Sequence, residues 1–509
     1  MRWRLAVALG VCAVWPAPGG AAELNDANIV ALDAVALRAE LAAGRVSAER
    51  VTQAFLRRIA ALDDAGPMLG AVIEVNPDAE TIARALDRRR NDGPIGPLHG
   101  LPVLIKANID TADRMATSAG SRALAEHHAA ADAAVVARLR AAGAVVLGKT
   151  NLSEWANFRS PASTSGWSSI GGQTRNPYVL DRNPCGSSSG AAVAVAARLA
   201  PLAIGTETNG SIVCPAAANG VVGIKPTLGL ISSRGIVPLA PSQDTAGPLA
   251  RTVADAALLL RVLAETVTVA VEPPTGRDSM RGRRIGVIRN YPGAASDAAV
   301  EAGFGAALGL LEGAGAVLVD PANPALTEAA AVAEFTVLLA EFRDNVGKYL
   351  ASVSQGPSSL EELIEFNTAH AREVMPYFGQ ELLLAARDGD DTASAAYRAA
   401  VAVIATQRGL LAELFATQRL DALVAPANAR AWRTDWQVGD TIGVSSSSVA
   451  AVSGYPSVVI PIQVSGDLPL GIALIGKPQD DALLLEIAAV VEGARGPFPE
   501  PRFLQSTTD

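Results

Sequence analysis

Residues 171–227 read GGQTRNPYVLDRNPCGSSSGAAVAVAARLAPLAIGTETNGSIVCPAAANGVVGIKPT. Two serine clusters lie among glycines here, GSSSG at 186–190 and NGSIVCP at 209–215. They flank an apolar run, Ala191 to Leu202, that reads as helix. A Gly/Ser turn opening into a helix leaves backbone N–H groups pointing outward, where they bind an anion or a developing oxyanion. Two such turns carrying hydroxyls suggest a nucleophile and its proton relay.

Known templates narrow the reading. GSSSG followed by Ala191-Ala192 lacks the Gly-Lys-Ser/Thr ending of a phosphate-binding loop. Asn209-Gly210-Ser211-Ile212-Val213 is not the G-x-S-x-G elbow of an α/β-hydrolase. The four histidines, His99, His127, His128 and His370, stand in no Gly-rich or otherwise chemical context, which disfavours a Ser-His-Asp triad. A serine served by a lysine base remains. The lysines are Lys106, Lys149, Lys225, Lys348 and Lys477. Lys106 closes the apolar, strand-like run LPVLIK, where burial would disfavour its charged form and make it a base. Taken alone, a lysine at a strand end also suits a side chain reaching from the core to water.

At this point the sequence resembles a family, the amidase signature serine hydrolases. The matching pieces are GLPVLIKANID, GKTNLSEWA, the whole of 171–227, SQDTAGPLARTVADAA at 242–257, GYPSVVIPI at 454–462 and LPLGIALIG at 468–476. The resemblance implies a Ser–Ser–Lys triad whose middle serine follows a cis peptide bond. By motif, Lys106 is the lysine, Ser187 the middle serine and Ser211 the nucleophile. The oxyanion donors it implies are the N–H groups of Thr208, Asn209, Gly210 and Ser211. It calls for no metal or cofactor. Within the family, NLSEWANFRS at 151–160, NPCGSSSG at 183–190 and TNGSIVCPAA at 208–217 look most like the bacterial peptide amidases, which remove a C-terminal amide from peptides.

Two departures bear on substrate. The family often carries Gly-Gly-Ser-Ile-Arg at the nucleophile, where this chain has Asn209-Gly210-Ser211-Ile212-Val213, and its common Lys-Asp pair is Lys106-Ala107. Asn tolerates unusual backbone angles, so Asn209 is compatible with the turn. Loss of the arginine disfavours the glutaminase-like subunit of a tRNA-dependent amidotransferase, which must hold an α-carboxylate. Amidases of small aliphatic, aryl or fatty amides stay open. A catalytically dead, exported binding protein is a further alternative, disfavoured because Lys106, Ser187 and Ser211 are all retained.

Outward from these motifs, the chain begins with a secretory pattern. Arg2 and Arg4 precede an apolar stretch from Leu5 to Trp15 that is too short for a bilayer, and small residues follow to Ala22. Val11 is too bulky for the position before a lipidated Cys12. Half the residues are hydrophobic, 18% are charged, mean hydropathy is +0.26 and the formal charge is −9. Loss of residues 1–22 removes two cations and no acid. So acidic a chain is a poor candidate for nucleic acid or an anionic membrane; the partner that the resemblance implies is an amide-bearing small molecule or peptide. The longest later apolar run, Ala191 to Ile204, is broken by Arg198 and too short to span a membrane. Cys185 lies two residues before Ser187 and Cys214 three after Ser211, so the two could come together and be oxidised in an exported protein; two small buried thiols are the expectation, since pairing needs a Cα separation below ~7 Å.

Helical periodicity covers 33–43 and 48–62, with Ser47 as N-cap. Strands are expected at 71–75, up to Lys106, at 144–147, 284–288 and 316–319, with helices near 78–90, 131–142 and 298–312 between them. Residues 325–419 read almost wholly as helix, with loops near 356–358 and 388–391, and strands return in LVAPA, SVVIPI and GIALIG. The fold class is therefore α/β: after residues 1–22, one large domain over 23–509, a central mixed sheet covered on both faces by helices, with a helical insertion at about 325–419. An exported, periplasmic or secreted protein is expected to lose its leader. N-terminal sequencing of the secreted chain should begin near residue 23, and recovery of an intact Met1 from the cytoplasm would refute the expectation.

Overall fold

The computed structural model describes residues 24–90, 95–264, 280–325 and 327–507. The secretory pattern at 1–22 lies outside them. Thirteen strands are present among the described residues: β1 Val72–Val75, β2 Pro102–Lys106, β3 Val145–Thr150, β4 Trp167–Ser168, β5 Gly172–Gln173, β6 Leu202–Glu207, β7 Val222–Lys225, β8 Thr245–Ala250, β9 Arg284–Val287, β10 Val317–Val319, β11 Ala422–Pro426, β12 Ser457–Ser465 and β13 Leu468–Ile475. Eleven form one mixed sheet in the order β1-β3-β2-β6-β8-β7-β12-β13-β11-β9-β10, while β4 and β5 make a separate ribbon.

β2 runs parallel to both β3 and β6, well inside the sheet. Every residue of β2, β3 and β6 is buried. This explains why they read as continuous apolar runs rather than alternating ones. It also explains how Lys106, the last residue of β2, comes to lie wholly inside the protein.

The covering helices follow their sequence signals. Asp33 and Ser47 cap Ala34–Ala43 and Ala48–Leu62 by accepting from the N–H groups of Ala36 and Arg50. Gly44, at φ +68°, ends the first of these helices. Between β10 and β11 come Glu328–Leu350, Leu360–Ala369, Ala371–Val374, Glu381–Asp388 and Ala395–Gln418. Their apolar faces build a second core in which Phe342, Leu350, Leu363 and Leu383 meet Trp155, Phe158 and Leu239. Ala395–Gln418 is long and apolar enough to cross a membrane by length and composition. In the fold it packs on Glu328–Leu350 and Ser447–Ser453.

Three sequence expectations change. The apolar helix after the first serine turn is Ser189–Ala196, shorter than 191–202. The chain turns at Arg198, φ +60°, and residues from Leu202 pair in the sheet as β6. β7 and β8 lie in stretches whose motifs were legible but whose strand character was obscured by Gly and Pro. The expected free thiols are a disulfide: Cys185 and Cys214 are bonded, with Cα atoms 5.9 Å apart. The pairing follows from the two serine turns lying side by side, where the Ser188 N–H donates to the Ser211 carbonyl at 3.0 Å. A cross-link over a sequence separation of 29 restricts the unfolded chain by roughly 3–4 kcal/mol in the chain-entropy treatment.

Candidate active site

The three residues singled out by the sequence come from three places in the chain. Lys106 ends β2. Ser187 follows the Gly186–Ser187 peptide, which is cis, in the turn before Ser189–Ala196. Ser211 lies in the turn between β6 and the helix Val213–Ala218. Lys106 Nζ is 2.7 Å from Ser187 Oγ, 3.1 Å from Ser188 Oγ, 2.9 Å from Thr206 Oγ1 and 3.2 Å from the Thr206 carbonyl. Lys106 and Ser187 are fully buried, whereas Ser211 is 8% exposed. The member of the set that would meet a substrate is the one that solvent reaches.

Burial pushes the Lys106 ammonium down to about 7, while the carboxylates of Glu207 and then Asp244 pull it back up. Lys149 and Lys225 are equally buried and are pushed down to about 8, again by burial first. What distinguishes Lys106 is its partners. Lys149 donates to the Ile109 carbonyl at 2.5 Å and the Thr117 hydroxyl, and Lys225 to the carbonyls of Tyr455 and Pro226. A carbonyl has no proton to give, and the one hydroxyl beside Lys149, that of Thr117, lies 3.3 Å away. Lys106 alone of the three touches serine hydroxyls, so a neutral amine there has protons within reach.

The two turns are held by their own backbone and hydroxyls. Ser188 Oγ donates to the Thr206 carbonyl and accepts from the Thr206 N–H, joining the first turn to β6. Ser189 Oγ donates to the Cys185 carbonyl. A Cβ on Gly186 would stand 2.1 Å from Ser153 Oγ, so the first turn has no room there for a side chain. Gly210 has φ +83°, a region glycine enters at little cost.

Glu207 Oε2 accepts from the N–H groups of Ile212 and Val213 at 2.6 and 2.9 Å. The next four amides upstream, those of Thr208, Asn209, Gly210 and Ser211, find no acceptor among the described residues. They are the N–H groups that the sequence singled out as oxyanion donors. Around them, Thr208 Oγ1 donates to Asp244 at 2.6 Å, and Asn209 Nδ2 donates to Glu334 at 2.7 Å. Burial raises both carboxyls, Asp244 to about 6.

Sequence reasoning missed several of these neighbours. Thr206 and Glu207 sit inside the quoted 171–227 stretch, and Asp244 inside the 242–257 match, so the sequence held the signal for what surrounds the lysine and the turn. Glu334 had no local signal. Of the histidines set aside, His127 meets Tyr349 Oη at 3.3 Å.

This arrangement has known counterparts. Residues 50–485 match the family model described as Amidase. The structure superposes on the X-ray structure of the native peptide amidase from Stenotrophomonas maltophilia with a TM-score of 0.87 and 46% identity, covering 92% of this chain and 98% of that one. A probable amidase of Arabidopsis thaliana is 36% identical over 484 residues, 90% of this chain and 89% of the relative. A glutamyl-tRNA(Gln) amidotransferase subunit from Symbiobacterium thermophilum is 37% identical over 487 residues, 90% of this chain and 95% of the relative. The chain belongs to the amidase signature family and is a hydrolase of amide C–N bonds.

Proposed function

We propose that this amidase is exported and releases ammonia from the C-terminal amide of peptides, with Ser211 as nucleophile, Ser187 as proton relay and Lys106 as base. The observation that carries the triad is the 2.7 Å approach of the buried Lys106 amine to Ser187 Oγ. Neutral Lys106 takes the proton of Ser187, which takes that of Ser211. The freed Ser211 oxygen attacks the amide carbon, and the amides of 208–211 hold the oxyanion. The C–N bond then breaks as the leaving nitrogen receives a proton from Ser187, refilled from Lys106. Ammonia leaves an ester on Ser211. Water attacks that ester by the same relay, and the acid departs with Ser211 restored.

Support for the substrate comes from the 46% identity to a peptide amidase along nearly the whole of both chains. Ile212 and Val213 place no cation beside Ser211 for a free α-carboxylate, which separates this site from one built for glutamine. The helices between 328 and 418 are long enough to wall a groove for an extended peptide. Export is supported by the leader pattern at 1–22 and by the Cys185–Cys214 bond, which persists in oxidising compartments.

Ser211→Ala should lower kcat by about 10⁴-fold or more. Lys106→Ala and Ser187→Ala should each cost nearly as much, and pairs of these changes should cost no more than one, because the relay fails as a unit. A Lys106→Ala enzyme keeping above a tenth of wild-type kcat would show the assignment wrong.

An amidated peptide that also contains Gln tests the substrate by mass spectrometry. A gain of one mass unit confined to the C-terminus is expected. Internal cleavage, loss of the Gln amide, or far faster turnover of fatty or aryl amides would overturn the peptide reading.

A further inference from the structure

The turn that carries Ser211 is gripped from outside by a side chain of the helical insertion. Asn209 stands two residues before Ser211, and its own N–H is one of the four open amides. Its side chain is held at both ends. Nδ2 donates to Glu334 Oε1 at 2.7 Å and to Ser448 Oγ at 3.1 Å, and Oδ1 accepts from Ser447 Oγ at 2.6 Å. Glu334 Oε1 accepts a second hydrogen bond, from Gln243 Nε2 at 2.9 Å, and the same Gln243 nitrogen lies 3.4 Å from the Thr208 carbonyl. One carboxylate oxygen thus ties together two successive residues of the turn, Asn209 directly and Thr208 through Gln243.

Glu334 belongs to Glu328–Leu350, the first long helix after β10, and is 8% exposed. Without that acceptor, the buried Gln243 amide and the largely buried Asn209 amide would each have to find another partner or go without, and either outcome moves the turn. Oxyanion donors act only when held within about half an ångström of their place, and a shift near 1 Å is worth about 100-fold in rate.

We propose that Glu334 is a positioning residue for hydrolysis: acting through Asn209 and Gln243, it holds the amides of 208–211 in register with Ser211 and so makes the insertion part of the catalytic apparatus. Its contribution is that of an acceptor, not of a charge in contact with substrate. The inference rests on the proposed role of Ser211, and the experiment separates the two.

Purified wild type, Glu334→Leu, Glu334→Gln and Ser447→Ala would be compared on an amidated peptide, with kcat and KM resolved, and in the rate of Ser211 labelling by a fluorophosphonate, which also needs the oxyanion site. Glu334→Leu should lose about 10- to 100-fold in kcat, with KM changed less than threefold and labelling slowed in parallel. Glu334→Gln, which keeps an oxygen for both amides, should recover most of that loss. If Glu334→Leu does not fold, as judged by thermal melting, Ser447→Ala carries the test, because it frees the other end of Asn209 and should show the same kcat-weighted loss. Unchanged kcat in Glu334→Leu or in a folded Ser447→Ala would overturn the proposal. So would a loss seen only in KM, or a Glu334→Gln enzyme as slow as Glu334→Leu. Activity that survives Ser211→Ala would instead defeat the proposed function, whatever Glu334 does.

Discussion

A lysine amine fully removed from water is the constraint on which the site depends. Lys106 is carried there by β2, which is paired on both sides by parallel strands and buried along its whole length. In that position the ammonium form loses its hydration, and the amine is brought to about 7. The same burial would be a plain cost if the amine met only carbonyls, as Lys149 and Lys225 largely do. Lys106 instead has the hydroxyls of Ser187 and Ser188 within hydrogen-bond reach, which supports the role of base proposed for it.

The rest of the architecture keeps two turns in contact with that amine. Ser188 stitches the first turn to β6, and Glu207, the last residue of β6, takes the amides of Ile212 and Val213. The disulfide joins the turns a few residues from each serine. The insertion closes the outside through Glu334, and Asp244 holds Thr208. The charged groups that hold the Ser211 turn are the carboxylates of Glu207, Asp244 and Glu334.

Much of this was legible in the chain because the chemistry is local in sequence. The serine turns, the scarce lysine at a strand end, the first helices with their caps and the long helical stretch all carry short-range patterns. What was not legible depends on distance through space. That Cys185 and Cys214 could pair was visible from their places beside the two serines, but whether they do depends on how closely the two turns lie side by side. Ala191 to Leu202 is apolar on both sides of Arg198, so periodicity could not say that helix gives way to strand near that residue. β7 and β8 hide behind Gly and Pro. Glu334 is one acid on a long amphipathic helix, 125 residues from Asn209, and nothing near it in sequence announces its partner.

The central claim is that Lys106 is a neutral base at working pH, and its titration can be followed directly. With lysines labelled with ¹³C at Cε, and the Lys106 signal assigned by its loss in Lys106→Met, an NMR pH titration of the wild-type protein reads the group itself. The account predicts a midpoint near 7 for that signal, well below those of exposed lysines. A Lys106 signal that titrates with ordinary exposed lysines, above about 10, would contradict it.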